Sequence, residues 1–187
     1  MDTAERLIRS TQELLWERGY VGTSPKAIQQ HAKAGQGSMY HHFTGKPDLA
    51  LAAIKRNGEE LRAEAETALS RPGTAVEKIS AYLHREREIL RGCRIGGLAQ
   101  DADVLASDEL RAPVTETLDW LRRRLTAVLA EGVARGEFTA DFDPAATAAT
   151  IAAVVQGGYV LARAARSEEP FTQAVEGAEK LLLSKQL

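Results

Sequence analysis

The sequence predicts an all-α protein, and three observations carry that expectation. Of its 187 residues 44% are apolar but only 5% aromatic, and alanine is frequent, which favours helix. β-branched residues never alternate over the length of a strand. Apolar side chains instead recur at helical spacing between glycine and proline stops along the whole chain. A chain of this length supports one or two domains with a sizeable core.

The elements follow in order. A first helix is expected over about 2–18, where Leu7, Ile8, Thr11, Leu14 and Leu15 share a face and Gly19 ends it. Pro25, after Thr23 and Ser24 as caps, starts a second. Ile28 and Ala32 point it inward, and a turn is due at 33–35. A third, about 36–42, buries Met39 and Phe43. Residues 44–48 open a long helix that runs to Leu69, before Arg71-Pro72-Gly73. Residues 74–91 read as one helix ended by Gly92, and 95–105 as a short one loosened by Gly96-Gly97. A helix over 108–135 contains Pro113 and ends at Gly136; Asp143-Pro144 starts another to Arg166, and Pro170 a last one to Ser184. Three short helices, residues 1–47, thus precede a larger helical part, 48–187.

The net charge of −2 is uneven. Residues 1–47 hold six Lys/Arg against four Asp/Glu, and the remainder hold eighteen against twenty-two. The N-terminal segment is therefore the better partner for an anion. Its stretch KAGQGSMYHHF sets small residues beside aromatic and imidazole groups. A short helix, a tight turn and a second short helix make a helix-turn-helix, whose second helix enters the major groove. Gly35 and Gly37 let the backbone approach DNA, and free N–H groups at the helix start suit a phosphate. Gln36 and Ser38 are short enough to meet base edges, Tyr40, His41 and His42 lie one turn on, and Lys46 adds a fixed charge. The competing reading is a generic helical hairpin with Tyr40 and Phe43 in its core.

Residues 19–49, GYVGTSPKAIQQHAKAGQGSMYHHFTGKPDL, resemble the DNA-binding domain of the TetR family of transcriptional regulators. The likeness lies in Gly19-Tyr20, Thr23-Ser24, Ile28, Ala32, Gly37-Ser38-Met39-Tyr40, His42-Phe43, and Lys46 before Leu49. It departs from the family at Lys33, where glycine is usual, at Gly35, where a capping Ser or Thr is usual, and at Gln36, which replaces a lysine. The resemblance implies phosphate contacts from Thr23, Ser24, Gly35, Tyr40, His42 and Lys46. It implies base contacts from Gln36 and Ser38, and His41, able to serve either role, is counted with them.

The seam Val114, Leu118, Leu121, Leu125, Val128 and the Ala/Gly-rich face of 145–162 need partners. Those partners are either an internal core or a second copy of the chain. The family resemblance favours the second, since its last long helices form a four-helix bundle across a two-fold axis. It also implies a ligand pocket, for which Tyr82, Leu98, Gln100, Trp120, Val155, Gln156 and Tyr159 are candidates, with Asp101 a further polar anchor. The implied protein is a homodimeric, ligand-responsive repressor that binds a palindromic operator in double-stranded DNA and is released by a small apolar or aromatic effector. The alternatives are a DNA-binding accessory protein of the same fold without a ligand, and a small helical enzyme.

Other chemistry finds little to stand on. His31, His41, His42 and His84 make no metal site by spacing, and adjacent helical histidines diverge by about 100°. His84 stands alone between charged neighbours. No catalytic constellation and no cofactor motif is visible. Cys93, the one cysteine, has no internal disulfide partner and reads as a packing residue. With a charged N-terminus, and with Thr147, Thr150 and Gln156 inside the one long apolar segment, the expectation is a cytoplasmic protein without a membrane span.

Overall fold

In the computed structural model, residues 2–187 are described, and every helix among them is joined by a short connection. The order is α1 (Thr3–Arg18), α2 (Pro25–Ala32), α3 (Gln36–His42), α4 (Lys46–Leu69), α5 (Ala75–Leu83), α6 (Ala102–Ala106), α7 (Asp108–Ala134), α8 (Pro144–Ala165) and α9 (Glu169–Leu183). Two 3-10 turns, Ile89–Arg91 and Leu98–Gln100, lie between α5 and α6. The described residues hold no strand beyond an isolated bridge from Phe138 to Gln186.

The chain forms two compact units, 1–61 with 93–118 and 62–92 with 119–187. The expected boundary at 47/48 falls inside the first, within α4. Two apolar clusters fill that unit. Leu7 and Leu14 of α1 pack with Ile28 and Ala32 of α2, Met39 of α3 and Leu49 of α4. Leu15, Ala50, Ala53 and Ile54 pack with Ile95, Leu98, Val104, Leu110 and Val114. A polar layer holds α1 to α4 beside them. Glu5 accepts from Arg56 at 3.1 and 3.3 Å, and Gln12 donates to Asn57 at 2.8 Å and Glu60 at 3.2 Å. Those bonds fix α1, and with it the support of α2 and α3.

In the second unit, Thr74 and Glu77 make a reciprocal capping box at the start of α5. The helix expected over 74–91 stops at Leu83. Arg87 ends it by folding back, its guanidinium donating to the carbonyls of Tyr82, Leu83 and Arg85. Those bonds take the carbonyls that a longer helix would have used. Leu98–Gln100 and α6 likewise replace one short helix over 95–105. α8 and α9 pack along each other, burying Ile151, Val155, Tyr159 and Ala162 against Phe171, Val175 and Ala178. By length and composition α8 is long and apolar enough to cross a membrane; here one face of it forms this core.

The seam on α7 resolves in favour of an internal core. Val114, Leu121, Leu125 and Val128 are all buried within the single chain, and Leu118 half-buried. A surface reserved for a second copy would have left them exposed.

Candidate nucleic-acid interface

Local signals build the helix-turn-helix. The Ser24 hydroxyl oxygen accepts from the Ala27 N–H at 3.2 Å, and Pro25 occupies the first turn of α2. The helix ends at Lys33, which takes a left-handed conformation with φ 50° and ψ 45°. Lysine thus adopts the strained geometry for which glycine would be the ordinary choice. The strain is offset by two closing bonds, Lys33 N–H to Gln30 and Ala34 N–H to Gln29, at 3.2 and 3.0 Å. Gly35 precedes α3 in extended conformation, and no side chain caps that helix. Nothing lies within 4 Å of where a Cβ would stand at Gly35 or Gly37.

Met39 anchors α3 from below. It is fully buried, and its sulfur accepts from Gln29 Nε2 at 3.5 Å. The rest of α3 faces out. Gln36, Gly37, Tyr40, His41 and His42 are exposed and Ser38 half-buried. Tyr40 is 49% exposed, so it forms no part of the core that a generic hairpin would have given it. The His41 and His42 rings meet edge to face at 5.0 Å.

Two neighbouring positions divide. Ser24 is exposed beside Pro25. Thr23, expected to reach a phosphate, is 1% exposed, and its hydroxyl donates to the Gly19 carbonyl at 2.7 Å. This corrects the reading of Thr23: its side chain closes the turn between α1 and α2 and faces away from any ligand.

Lys46 is held rather than free. Its Nζ stands 3.8 Å from the centroid of the Tyr20 ring, close enough for a cation–π contact. Tyr20 is in turn fixed by Asp101, whose Oδ2 accepts from the Tyr20 N–H at 2.7 Å and the Val21 N–H at 3.2 Å. The other oxygen, Oδ1, accepts from the N–H groups of Asp103 and Val104 at the start of α6. Burial raises the Tyr20 phenol pKa, helped by the charges of Asp103 and Asp101. Asp101 therefore has its carboxylate committed to backbone, which corrects its reading as a pocket anchor. Neither Tyr20 nor Asp101 was legible as part of the interface, because eighty-one residues separate them and the bond is to main chain.

The seven pocket candidates do not assemble into one wall. Leu98 and Gln100 belong to the first unit, and the other five to the second. Leu98 is core, and Gln100 is exposed. Trp120 and Gln156 are half-buried, and Val155 is buried between α8 and α9. Tyr82 and Tyr159 do share an aromatic layer with Phe171: the Tyr159 and Phe171 centroids are 4.8 Å apart, and the Arg87 guanidinium lies 5.3 Å from Tyr82 and 5.6 Å from Phe171. Burial lowers the Arg87 pKa, with the Arg85 charge adding to it.

A cleft of about 510 Å³ lies elsewhere in the second unit, lined by Arg71, Val76, Glu77, Ser80 and Glu179 among others, and by none of the seven. At its edge His84 meets Glu179 at 2.9 Å, so this histidine is paired and not alone. Ser80 donates to the same carboxylate. Cys93 is half-buried, its sulfur accepting from the Gly96 N–H at 3.2 Å. Among the described residues no three His, Cys, Asp or Glu side chains gather as a metal site requires.

Comparison with known proteins agrees with this architecture. The sequence model described as bacterial regulatory proteins, tetR family, matches residues 7–53. That of the tetracyclin repressor-like C-terminal domain matches residues 68–178. The transcriptional regulator AcuR of Cereibacter sphaeroides is 30% identical over 151 residues, which cover 77% of this chain and 68% of that protein. A crystal structure of a regulatory protein TetR from Rhodobacter sphaeroides superposes with a TM-score of 0.84 at 26% identity, covering 94% of this chain and 96% of that one. A cysteine mutant of the TetR-family regulator CifR, solved with double-strand operator DNA, shares the fold with a TM-score of 0.78 at 23% identity and covers 94% of each chain.

Proposed function

The chain belongs to the TetR family of DNA-binding transcriptional regulators, and on that premise we propose that it is a repressor that binds a palindromic operator as a homodimer and leaves it when a small apolar or aromatic effector binds. The observation that carries the DNA side is α3 itself. A single buried residue, Met39, roots the helix, while Gln36, Tyr40, His41 and His42 stand out from it.

Gln36, Ser38 and His41 are the residues for base edges in this reading. Ser24, Gly35, Tyr40, His42 and Lys46 hold phosphates. Phosphate contacts set position and base contacts set sequence preference.

One recognition helix spans few base pairs, so tight binding calls for two copies on a two-fold site. α8 and α9 support this: outside the α8–α9 core, Val160 is 50% and Leu161 56% exposed, and Leu181 more so. Exposed apolar side chains in such number suit a second copy of the same face. For the effector, the aromatic layer of Tyr82, Tyr159 and Phe171 is the best support on the chain. Operator and effector would then weaken each other by the same factor, with α4, which contributes residues to both units, as the lever. An enzymatic reading gains nothing from Ser80, Glu179 and His84, because the carboxylate binds both others and the imidazole is not placed on the serine.

The test is a set of gel shifts on operator variants. Lys46→Ala should weaken binding alike on every sequence. Gln36→Ala should change the preference at one base pair by about 1–3 kcal/mol. Equal losses for both variants on all sequences would remove the division of roles. An operator affinity unchanged at saturating effector would remove the release mechanism.

A further inference from the structure

We propose that Asp101 is a positioning residue for DNA binding: its carboxylate ties the α1–α2 turn to the start of α6 and thereby seats the Tyr20 ring beneath the Lys46 ammonium. The inference rests on the reading of Lys46 as a phosphate contact and adds how that contact is held.

The geometry is complete on both sides. Oδ2 takes the Tyr20 and Val21 N–H groups, and Oδ1 takes those of Asp103 and Val104. One carboxylate thus satisfies four backbone donors in two segments, the Tyr20–Val21 pair standing in the turn just before α2. Charge-assisted bonds of this kind are shorter and stronger than neutral ones, and the 2.7 Å contact to Tyr20 is the shortest of the four. The turn is shaped to receive it. Gly19 has φ +70°, and a Cβ there would stand 2.9 Å from Oδ2. A side chain at position 19 would meet both a strained backbone and the carboxylate.

From Tyr20 the effect passes to Lys46. A lysine has some 2 kcal/mol of rotamer entropy to lose on being fixed. A ring 3.8 Å from the ammonium restricts it before any phosphate arrives. Tyr20 keeps this position because its backbone is pinned by Asp101 and its ring is half-buried against the cluster that contains Leu15 and Ile54.

The sign of the effect separates positioning from simple charge. Asp101 is negative, so removing it should strengthen attraction to DNA if only the field of the protein mattered. Positioning gives the opposite result. The experiment uses the full chain and a mixed-sequence duplex about three helical turns long, with fluorescence anisotropy over a salt series. D101N should bind about tenfold more weakly, and its slope against log salt should fall by about 0.9, the signature of one lost phosphate contact.

Y20L, which keeps the backbone bonds to Asp101, should show the same loss, and Y20F should restore parental binding. In a double-mutant cycle D101N and K46A should be strongly non-additive. D101N binding as tightly as the parent or tighter, or additivity in the cycle, overturns the proposal.

A second readout needs no DNA. The Lys46 side-chain methylene protons should be shifted upfield by the Tyr20 ring in the parent and should lose that shift in D101N and Y20L. Unshifted protons in the parent overturn the clamp. A parent chain that binds no duplex in a salt-dependent way would instead defeat the DNA reading, while the proton shifts still decide the clamp.

Discussion

The surface of α3 and the outer surface of α8 and α9 are opposites. α3 puts its one large apolar side chain inside and leaves glycine, amide, hydroxyl and imidazole outside. α8 has the higher mean hydropathy of the two, buries one face, and still leaves Val160 and Leu161 in solvent. A polar, open surface with room for close approach suits a hydrated polyanion. A surface of Ala, Val and Leu suits another protein face of the same kind. The two regions thus assign different partners to different parts of one chain.

Removing the root of α3 would break the contrast most sharply. Met39→Ala leaves a cavity under the helix and should lower stability by about 2–5 kcal/mol, read in urea unfolding, with loss of all DNA binding. The other surface should fail differently. Val160→Asp with Leu161→Asp should raise the dimer dissociation constant at least ~30-fold in analytical ultracentrifugation while leaving the monomer folded. If that variant remained dimeric at micromolar concentration, α8 would not be the interface. Lys33→Gly should stabilise the chain by roughly 0.5–1 kcal/mol, because glycine takes the left-handed turn without strain. A loss of stability would mean that the lysine side chain holds the turn in some further way.

The smallest effect concerns an ion pair of the second unit. Arg124 at 2.9 Å holds the Glu66 carboxyl below its usual range, with Ser70 helping. A lowered pKa contributes stability above the unfolded value of 4.5, and that contribution is lost as pH falls through the folded value. Glu66 is more than a third exposed, so solvent screening leaves about 0.5 kcal/mol. Glu66→Gln should therefore match the parent at acid pH and fall slightly below it at neutral pH, in thermal melts across the range.

The legible parts share a cause. α2 and α3 are bounded by signals within a few residues of their ends: Pro25 and Ser24 at one start, Gly35 at the next, Lys33 and Phe43 at the two stops. Their outward positions follow from helical spacing around Ile28, Ala32 and Met39. What stayed hidden depends on distant chain or on side-chain reach. The stop at Leu83 requires Arg87 to turn back on three carbonyls, which no periodicity records. The inward turn of Thr23 depends on Gly19 offering its carbonyl. The α7 seam has the spacing of an interface and of a core alike, and only the burial of Val128 and Leu125 tells them apart. Pocket candidates chosen by residue type fell in two units because residue type does not report which helices converge.

The empty space above Gly35 and Gly37 has an evolutionary consequence. With no neighbour for a methyl group to strike, alanine at either place should fold as well as glycine, and at position 37 slightly better. A saturation library scored by cellular abundance would therefore accept both changes. The same library scored by promoter occupancy would reject them, so natural selection can see these two glycines only through the nucleic acid that comes to rest on them.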